Sequence, residues 1–194
     1  MKILAISTSS NTCSVALLED DKCIQELNIC NEKTHSEKLM PLIDELLKGN
    51  NVTLSDIGLI ACDNGPGSFT GIRIGMCVAK VLASMKNIPL KAISSLNAYA
   101  SLGKKIVILD AKAKRVYLGI YNDNVKVIDE MVVEIETFKE MLKDYDGYDV
   151  VLDSYLIGLE SEEIDVIENM NRISKTIQPV DNVDALVPIY LKDR

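Results

Sequence analysis

Hydrophobic and polar positions follow the same pattern in two separate blocks of the chain. Residues 2–28 and residues 105–133 each show an apolar run, a polar loop, a second apolar run, a tight polar turn and a third run. The turns fall at Asp20-Asp21 and Asp123-Asn124, residue types that adopt turn conformations at low cost. Each block therefore predicts three consecutive β-strands with short connections.

A helical pattern and one more apolar strand follow each block. Thr34-His35-Ser36-Glu37 has the form of a capping box, and apolar residues then recur at helical spacing. Pro41 lies inside this pattern and predicts a kink there or a later helix start. The next strand is predicted at residues 57–62. In the second half, Thr137 is predicted to cap a short helix, and a strand is predicted at residues 150–152.

The order β-β-β-α-β thus occurs twice, with a boundary near residues 101–104. Two such units in tandem are the plan of the actin-like ATPase and sugar-kinase superfamily, so we predict an α/β, actin-like (ASKHA, ribonuclease H-like) tandem duplication. The first unit is predicted at residues 1–102 and the second at residues 103–194. Residues 155–178 show little periodicity, which predicts a reduced second unit.

Composition limits the function classes. The chain has 194 residues, a formal charge of −8, five cysteines and one histidine. It lacks a run of about 18 uncharged apolar residues, so no membrane span is predicted. The cysteines show no CxxC spacing, which favours reduced thiols and a cytoplasmic location over a disulfide framework or a zinc site. A mechanism that needs two histidines from this chain is excluded.

Charge is divided unevenly along the chain. Residues 70–128 contain ten Lys or Arg and two acidic residues, whereas residues 129–168 contain two Lys and fourteen acidic residues. The acidic stretch is either a solvated outer face or a surface that steers a basic partner. Contact with tRNA is expected on the basic middle or on a partner, since the chain as a whole is acidic.

The segment that follows the fourth strand carries the most specific pattern. Gly65-Pro66-Gly67 predicts a turn, and Ser68 or Thr70 can cap the helix that follows. Backbone amides of such a turn can hold an anion, so Gly65, Gly67, Ser68 and Thr70 are candidate nucleotide contacts. It is not a Walker A loop, because no Gly-Lys-Ser/Thr closes the turn.

The helix itself has two apolar faces. Gly71, Gly75, Ala79 and Ala83 recur every four residues, and larger apolar side chains lie elsewhere on the same helix. The small residues pack either against the protein's own sheet or against a partner; a helix that is apolar nearly all round favours burial on two sides. We predict a partner interface made by these residues: Phe69, Gly71, Ile72, Arg73, Gly75, Met76, Ala79, Lys80 and Ala83.

Residues Gly65 to Gly75 resemble the glycine motif of the TsaB (YeaZ) family of tRNA threonylcarbamoyladenosine biosynthesis proteins. The resemblance covers the whole chain. It continues through further motifs, which are His35–Pro41, Ser94–Leu96, Asp110–Lys112, Val116-Tyr117 and Val187–Lys192.

This resemblance implies a subunit that dimerises through the helix after the glycine motif. Its implied partner is the paralogue TsaD, which carries the metal site and transfers threonylcarbamoyl to the adenosine beside the tRNA anticodon. TsaE, an ATPase, joins the complex. The resemblance implies that this chain contacts tRNA only indirectly, through the complex. As a further hypothesis, the chain forms a homodimer through the same face when TsaD is absent. ATP or ADP is a candidate at the shared interface, with no cofactor, metal or catalytic residue of the chain's own.

One position departs from the fold's usual pattern. Actin-like proteins usually place Asp at the end of the first strand, where this chain has Ser7, while the second unit keeps Asp110. Loss of a hard oxygen ligand disfavours, as an alternative, an independent ATPase or sugar kinase. A peptidase, the second alternative, would need His35, which we expect to cap a helix or face solvent. One histidine also cannot build the HxxxH iron site implied for TsaD.

Overall fold

Two β-sheets and flanking helices make up the structure, a computed structural model that describes residues 1–20, 22–30, 34–160 and 164–191. Asp21 of the predicted turn and Lys192 of the C-terminal motif lie outside these residues. The first sheet has the order β3-β2-β1-β4-β5 and the second β8-β7-β6-β9. The strands are β1 (Lys2–Ser7), β2 (Thr12–Glu19), β3 (Lys22–Cys30), β4 (Ile57–Asp63), β5 (Leu90–Ile93), β6 (Lys104–Lys112), β7 (Arg115–Asn122), β8 (Val125–Glu134) and β9 (Asp149–Leu152).

Helices connect and cover the sheets. The α-helices of the described residues are α1 (His35–Gly49), α2 (Phe69–Lys86), α3 (Ser95–Ala98), α4 (Ile135–Met141) and α5 (Val166–Ser174), and short 3-10 turns lie at Leu54–Asp56, Leu142–Asp144 and Ser154–Ile157.

The predicted repeat is confirmed. Strands β1, β2 and β3 form an antiparallel meander, and β4 joins β1 in parallel after helix α1. Strands β6, β7, β8 and β9 repeat this plan around helix α4. The hairpin turns use left-handed backbone at Asp20, Asp123 and Asn124, as expected of these residue types.

The core forms three layers because successive side chains of a strand point to opposite faces. Leu4 and Ile6 of β1 pack with helices α1 and α2 on one face of the first sheet. Ile3 and Ala5 point the other way, into a core shared with α3, α5 and the second sheet. The far face of the second sheet packs on α4 around Phe138.

The end of the described chain returns to the first sheet. Helix α5 contacts β1, β4 and β5. The amide of Val180 donates to Leu90 O at 2.8 Å, and the amide of Ile189 donates to Asn64 O at 2.8 Å. The boundary between residues 102 and 103 stays a prediction. Part of the predicted second unit nevertheless lies against the first sheet.

Two local expectations are wrong, and one is narrowed. Helix α1 begins at His35 and contains Pro41, so the later helix start is excluded and the kink stays a prediction. Helix α4 begins at Ile135 with Glu134 as its N-cap, so Thr137 is not the cap. Helix α5 lies in the stretch read as aperiodic. It is short, but Val166, Ile167, Met170 and Ile173 still place one apolar face on the core.

The helices give no sign of a membrane span. Among the described residues, none of them is both long enough and apolar enough to cross a bilayer.

Candidate functional site

The glycine turn between β4 and α2 is held tightly by its neighbours. Gly65 has a φ of +100°, and a Cβ there would lie 2.8 Å from Ile189 O. The Ser68 amide donates to Ser9 O at 2.8 Å. The Ser68 hydroxyl in turn accepts from the Gly71 amide at 3.1 Å, which confirms Ser68 as the N-cap of α2.

A buried carboxylate joins this turn to the end of β1. Asp63 ends β4 and is fully buried. One of its oxygens accepts from the Ser7 hydroxyl at 2.7 Å and from the amides of Thr8 and Ser9 at 3.1 Å each. Burial raises the pKa of Asp63, and these hydrogen bonds act in the opposite direction. Ser7, at the position where the fold usually has Asp, is therefore a donor to an internal carboxylate.

The small-residue face of α2 packs on the protein's own backbone. A Cβ at Gly71 would lie 2.1 Å from Thr8 O, and one at Gly75 would lie 2.2 Å from Thr8 Oγ1. Thr8 Oγ1 donates to Gly71 O at 2.9 Å, so the helix meets the β1–β2 connection at close range. The glycines allow this approach because they carry no side chain.

This packing corrects the expected exposure of the interface residues. We expected the small-residue face to be open to a partner, and that expectation is wrong. The protein itself buries Gly71, Ile72, Gly75, Met76, Ala79 and Ala83. Of the predicted interface residues, Phe69 and Arg73 are exposed, and Lys80 is half-buried.

The other face of α2 is exposed and largely apolar. Phe69, Val81 and Met85 are 56%, 52% and 66% exposed, and Arg73 and Cys77 lie between them. These five residues recur every four positions, so they form one ridge of the kind that interdigitates with a second helix. The helix carries no acidic residue from 69 to 86.

The C-terminal segment lies along this exposed face. Lys80 Nζ donates to the carbonyl oxygens of Asp184 and Leu186 at 2.9 and 3.0 Å. An open groove of about 510 Å³ separates α2 from this segment. Its apolar lining comes from both sides, with Met76, Val81 and Met85 on the helix and Leu186 and Pro188 on the segment.

Three side chains form a stack where the helix begins. The Arg73 guanidinium lies 3.7 Å from the centroid of the Phe69 ring, and its Nε donates to the Tyr190 hydroxyl at 2.8 Å. The Phe69 and Tyr190 rings are 5.7 Å apart. Cation–π and aromatic contacts of this kind hold the C-terminal segment on the helix.

A cleft of about 360 Å³ separates the glycine turn from the end of the second sheet. Gly67, Ser68 and Thr70 line one wall of it. Gly65, the fourth candidate anion contact, is buried beside Ile189. The structure therefore brings three of these four residues to the cleft.

Carboxylates occupy the opposite wall. Asp153 accepts from the Asp110 amide at 2.8 Å, and Asp110 accepts from the amide and the ammonium group of Lys112 at 2.7 and 2.8 Å. Burial would raise the pKa of Asp110, but the hydrogen bonds from Lys112 hold it below its usual range. Burial raises the pKa of Asp153. Among the described residues, no three His, Cys, Asp or Glu side chains are grouped to hold a metal.

The single histidine is fully buried, so the expectation that it caps a helix or faces solvent is wrong. His35 Nε2 lies 3.3 Å from Asn11 O, and Nδ1 has no partner within the described residues. The contact fixes the β1–β2 connection to the start of α1.

Comparison with known proteins places the chain in a family. A tRNA threonylcarbamoyladenosine biosynthesis protein TsaB from Bacillus subtilis (strain 168) is 36% identical over 172 residues, covering 81% of this chain and 75% of the relative. The chain belongs to the TsaB (YeaZ) family. TsaB from Escherichia coli (strain K12) is 33% identical over 62% of this chain, which spans only 55% of that relative's length.

Structural neighbours of the family confirm the fold. YeaZ from Pseudomonas aeruginosa superposes with a TM-score of 0.79 at 23% identity, covering 98% of this chain and 99% of that one. A protein from the same organism, described as similar to peptidase YEAZ, gives 0.83 at 24% identity with the same coverage. Residues 30–178 also match the family model "TsaD: tRNA N6-adenosine threonylcarbamoyltransferase". The predicted actin-like α/β fold is confirmed.

The sequence alone did not indicate that Tyr190, Val81 and Met85 lie together on the exposed surface formed by α2 and the C-terminal segment. Tyr190 belongs to a motif that carried the family resemblance, but nothing local links it to Arg73, which is 117 positions away. Val81 and Met85 were recognisable as apolar. The pattern of α2 alone cannot show which of its apolar faces packs on the protein itself. That face is decided by the close approach of Thr8, a residue outside the helix.

Proposed function

We propose that the chain takes part in tRNA threonylcarbamoyladenosine biosynthesis as a non-catalytic subunit that binds the TsaD paralogue. The observation that carries the proposal is the exposed apolar ridge of α2, where Phe69, Val81 and Met85 are each more than half exposed. Exposed apolar patches bordered by charge are typical of protein interfaces. In this proposal TsaE and tRNA join through the complex, in the cytoplasm, and the same ridge forms a homodimer when TsaD is absent.

The site offers little support for chemistry of the chain's own. Ser7 replaces the carboxylate that would organise a metal-bound nucleotide, and the nearby carboxylate of Asp63 is fully engaged by donors. A peptidase would pair His35 with a nucleophile, yet among the described residues the only hydrogen-bond contact of its ring is the Asn11 carbonyl oxygen. Both alternatives are therefore weaker than a scaffold.

Glutamate on the ridge should weaken the heterodimer. We expect Val81→Glu and Met85→Glu each to raise the Kd for the purified TsaD paralogue by about 10-fold or more, because each buries an unpaired charge at the centre of the interface. Isothermal titration calorimetry measures this change, and circular dichroism checks the fold.

Val125→Glu is the matched control, because Val125 is 69% exposed and lies on β8, in the second sheet. It should bind as the parent does. Folded Val81→Glu and Met85→Glu variants with the parental Kd would show that α2 is not the interface. Sedimentation velocity of the chain alone tests the homodimer, which the same glutamates should dissociate.

A nucleotide is proposed only at the interface shared with the partner, with Gly67, Ser68 and Thr70 as this chain's contribution. The carboxylates of Asp110 and Asp153 on the facing wall of the cleft repel the negative charge of phosphate groups. Nucleotide binding in the cleft would therefore need additional positive charge from the partner or from a metal ion bound with the nucleotide.

The purified chain should accordingly show no ATP hydrolysis above a protein-free blank in a phosphate-release assay, with or without magnesium. Turnover that disappears in an Asp110→Asn, Asp153→Asn double variant would instead establish an independent ATPase.

A further inference from the structure

We infer that residues 183–190 form the second half of the partner surface, so that a helix of the partner binds in the groove between this segment and α2. The inference rests on the proposed function and extends it. It names a part of the chain that lies far from the α2 motif in sequence and was not among the predicted interface residues.

The segment is held as part of a defined surface. Lys80 binds the carbonyl oxygens of Asp184 and Leu186, and the Ile189 amide binds Asn64 O. Leu186 also packs on the core layer between the first sheet and helices α1 and α2. At the other end, Tyr190 binds Arg73 and stacks on Phe69. Anchors at both ends pre-organise the segment, so little conformational entropy is lost when a partner binds.

The groove indicates what binds in it. The ridge residues repeat at the four-residue spacing by which one helix packs against another, so the occupant is a helix with an apolar face. The charged groups of α2 are Arg73, Lys80 and Lys86, with no acid among them. The lining of the groove contains the basic residues Arg73 and Lys80 and the acidic residue Asp184. A carboxylate on the partner helix therefore meets net positive charge, which a second copy, with the same cations on its own α2, complements less well.

Hydrogen exchange on the complex tests the inference directly. On addition of the purified TsaD paralogue, amides of residues 183–190 should exchange at least about 5-fold more slowly, together with amides of α2. Protection confined to α2 would overturn the inference and leave the proposed function intact. Protection of neither segment would overturn both. If residues 183–190 of the free chain become equally protected as its concentration rises, and the TsaD paralogue adds no further protection, the occupant of the groove is a second copy and the assignment to a partner helix is wrong.

Tyr190 variants provide the matched chemical test. Tyr190→Ala removes the ring that stacks on Phe69 and should raise the Kd about 5-fold or more, whereas Tyr190→Phe keeps the ring and should raise it less than about 2-fold. Parental affinity in Tyr190→Ala would contradict the inference, provided that Met85→Glu still weakens binding in the same assay. Thermal melting of each variant separates weakened binding from a loss of folding.

Discussion

Replacing Gly71 with alanine should lower the free energy of unfolding by about 1–3 kcal/mol, although alanine is the better helix former by about 1 kcal/mol. The reason is the position of Thr8, whose backbone carbonyl oxygen would lie 2.1 Å from the new Cβ. A backbone atom cannot rotate away as a side-chain tip can, so α2 or the β1–β2 connection has to shift. Urea denaturation followed by circular dichroism measures the loss.

Gly49 provides a control with the same chemical change. It is the last residue of α1, and a Cβ there would meet only Gln25 Oε1, at 3.7 Å. Gly49→Ala should therefore leave stability unchanged or increase it by up to about 1 kcal/mol. If Gly71→Ala is as stable as Gly49→Ala, α2 does not approach Thr8 as closely as described.

Replacing Asp63 with alanine should lower the free energy of unfolding by about 3 kcal/mol or more. The change leaves the Ser7 hydroxyl and the amides of Thr8 and Ser9 buried without an acceptor, and each such donor costs roughly 1–3 kcal/mol. Denaturant titration near neutral pH gives the value. Asp56→Ala is the control, because Asp56 accepts its hydrogen bonds from Thr53 at an exposed position, and a much smaller loss is expected.

The pH dependence of stability gives Asp63 a separate signature. Burial raises its pKa in the folded state above the ordinary value of 3.8, so the folded protein holds this proton more tightly than the unfolded chain does. The part of the stability that comes from this tighter proton binding is therefore full below pH 3.8 and is lost as the pH rises through the folded-state pKa, whereas the hydrogen bonds from Ser7, Thr8 and Ser9 remain. Asp63→Asn cannot titrate and should lack this decline. Parallel curves for the parent and Asp63→Asn from pH 3.5 upward would contradict the raised pKa.

Apolar runs and turn chemistry were sufficient to predict the double β-β-β-α-β plan. The first two strands of each block are apolar runs that the fold buries almost continuously, and the left-handed turn positions at Asp20 and Asp123 fall on residues suited to them. Ser68 was recognisable as a cap because capping depends on residues three positions apart. Each of these features depends on residues that are close together in the chain, so sequence patterns are sufficient to predict them.

The missed features depend on long-range contacts. The spacing of Gly71 and Gly75 indicated a close approach, but only the folded position of Thr8 decided that the approaching group is the protein itself. The sequence context of His35 is typical of a surface residue, and only the folded structure shows that its ring is buried beside the Asn11 carbonyl oxygen. Likewise, the contact between Tyr190 and Arg73 joins residues 117 positions apart, a separation that no periodicity can reveal.

The anchored C-terminal segment also sets an order of events in synthesis. Residues 183–190 follow both sheets in the chain, so α2 is made, and can pack on its sheet, well before Lys80 and Arg73 meet their partners on this segment. Domains generally fold from the N-terminal end while the rest is still being translated. A nascent chain can therefore display the ridge of α2 without the far wall of the groove, and the full groove forms only after both sheets have been translated.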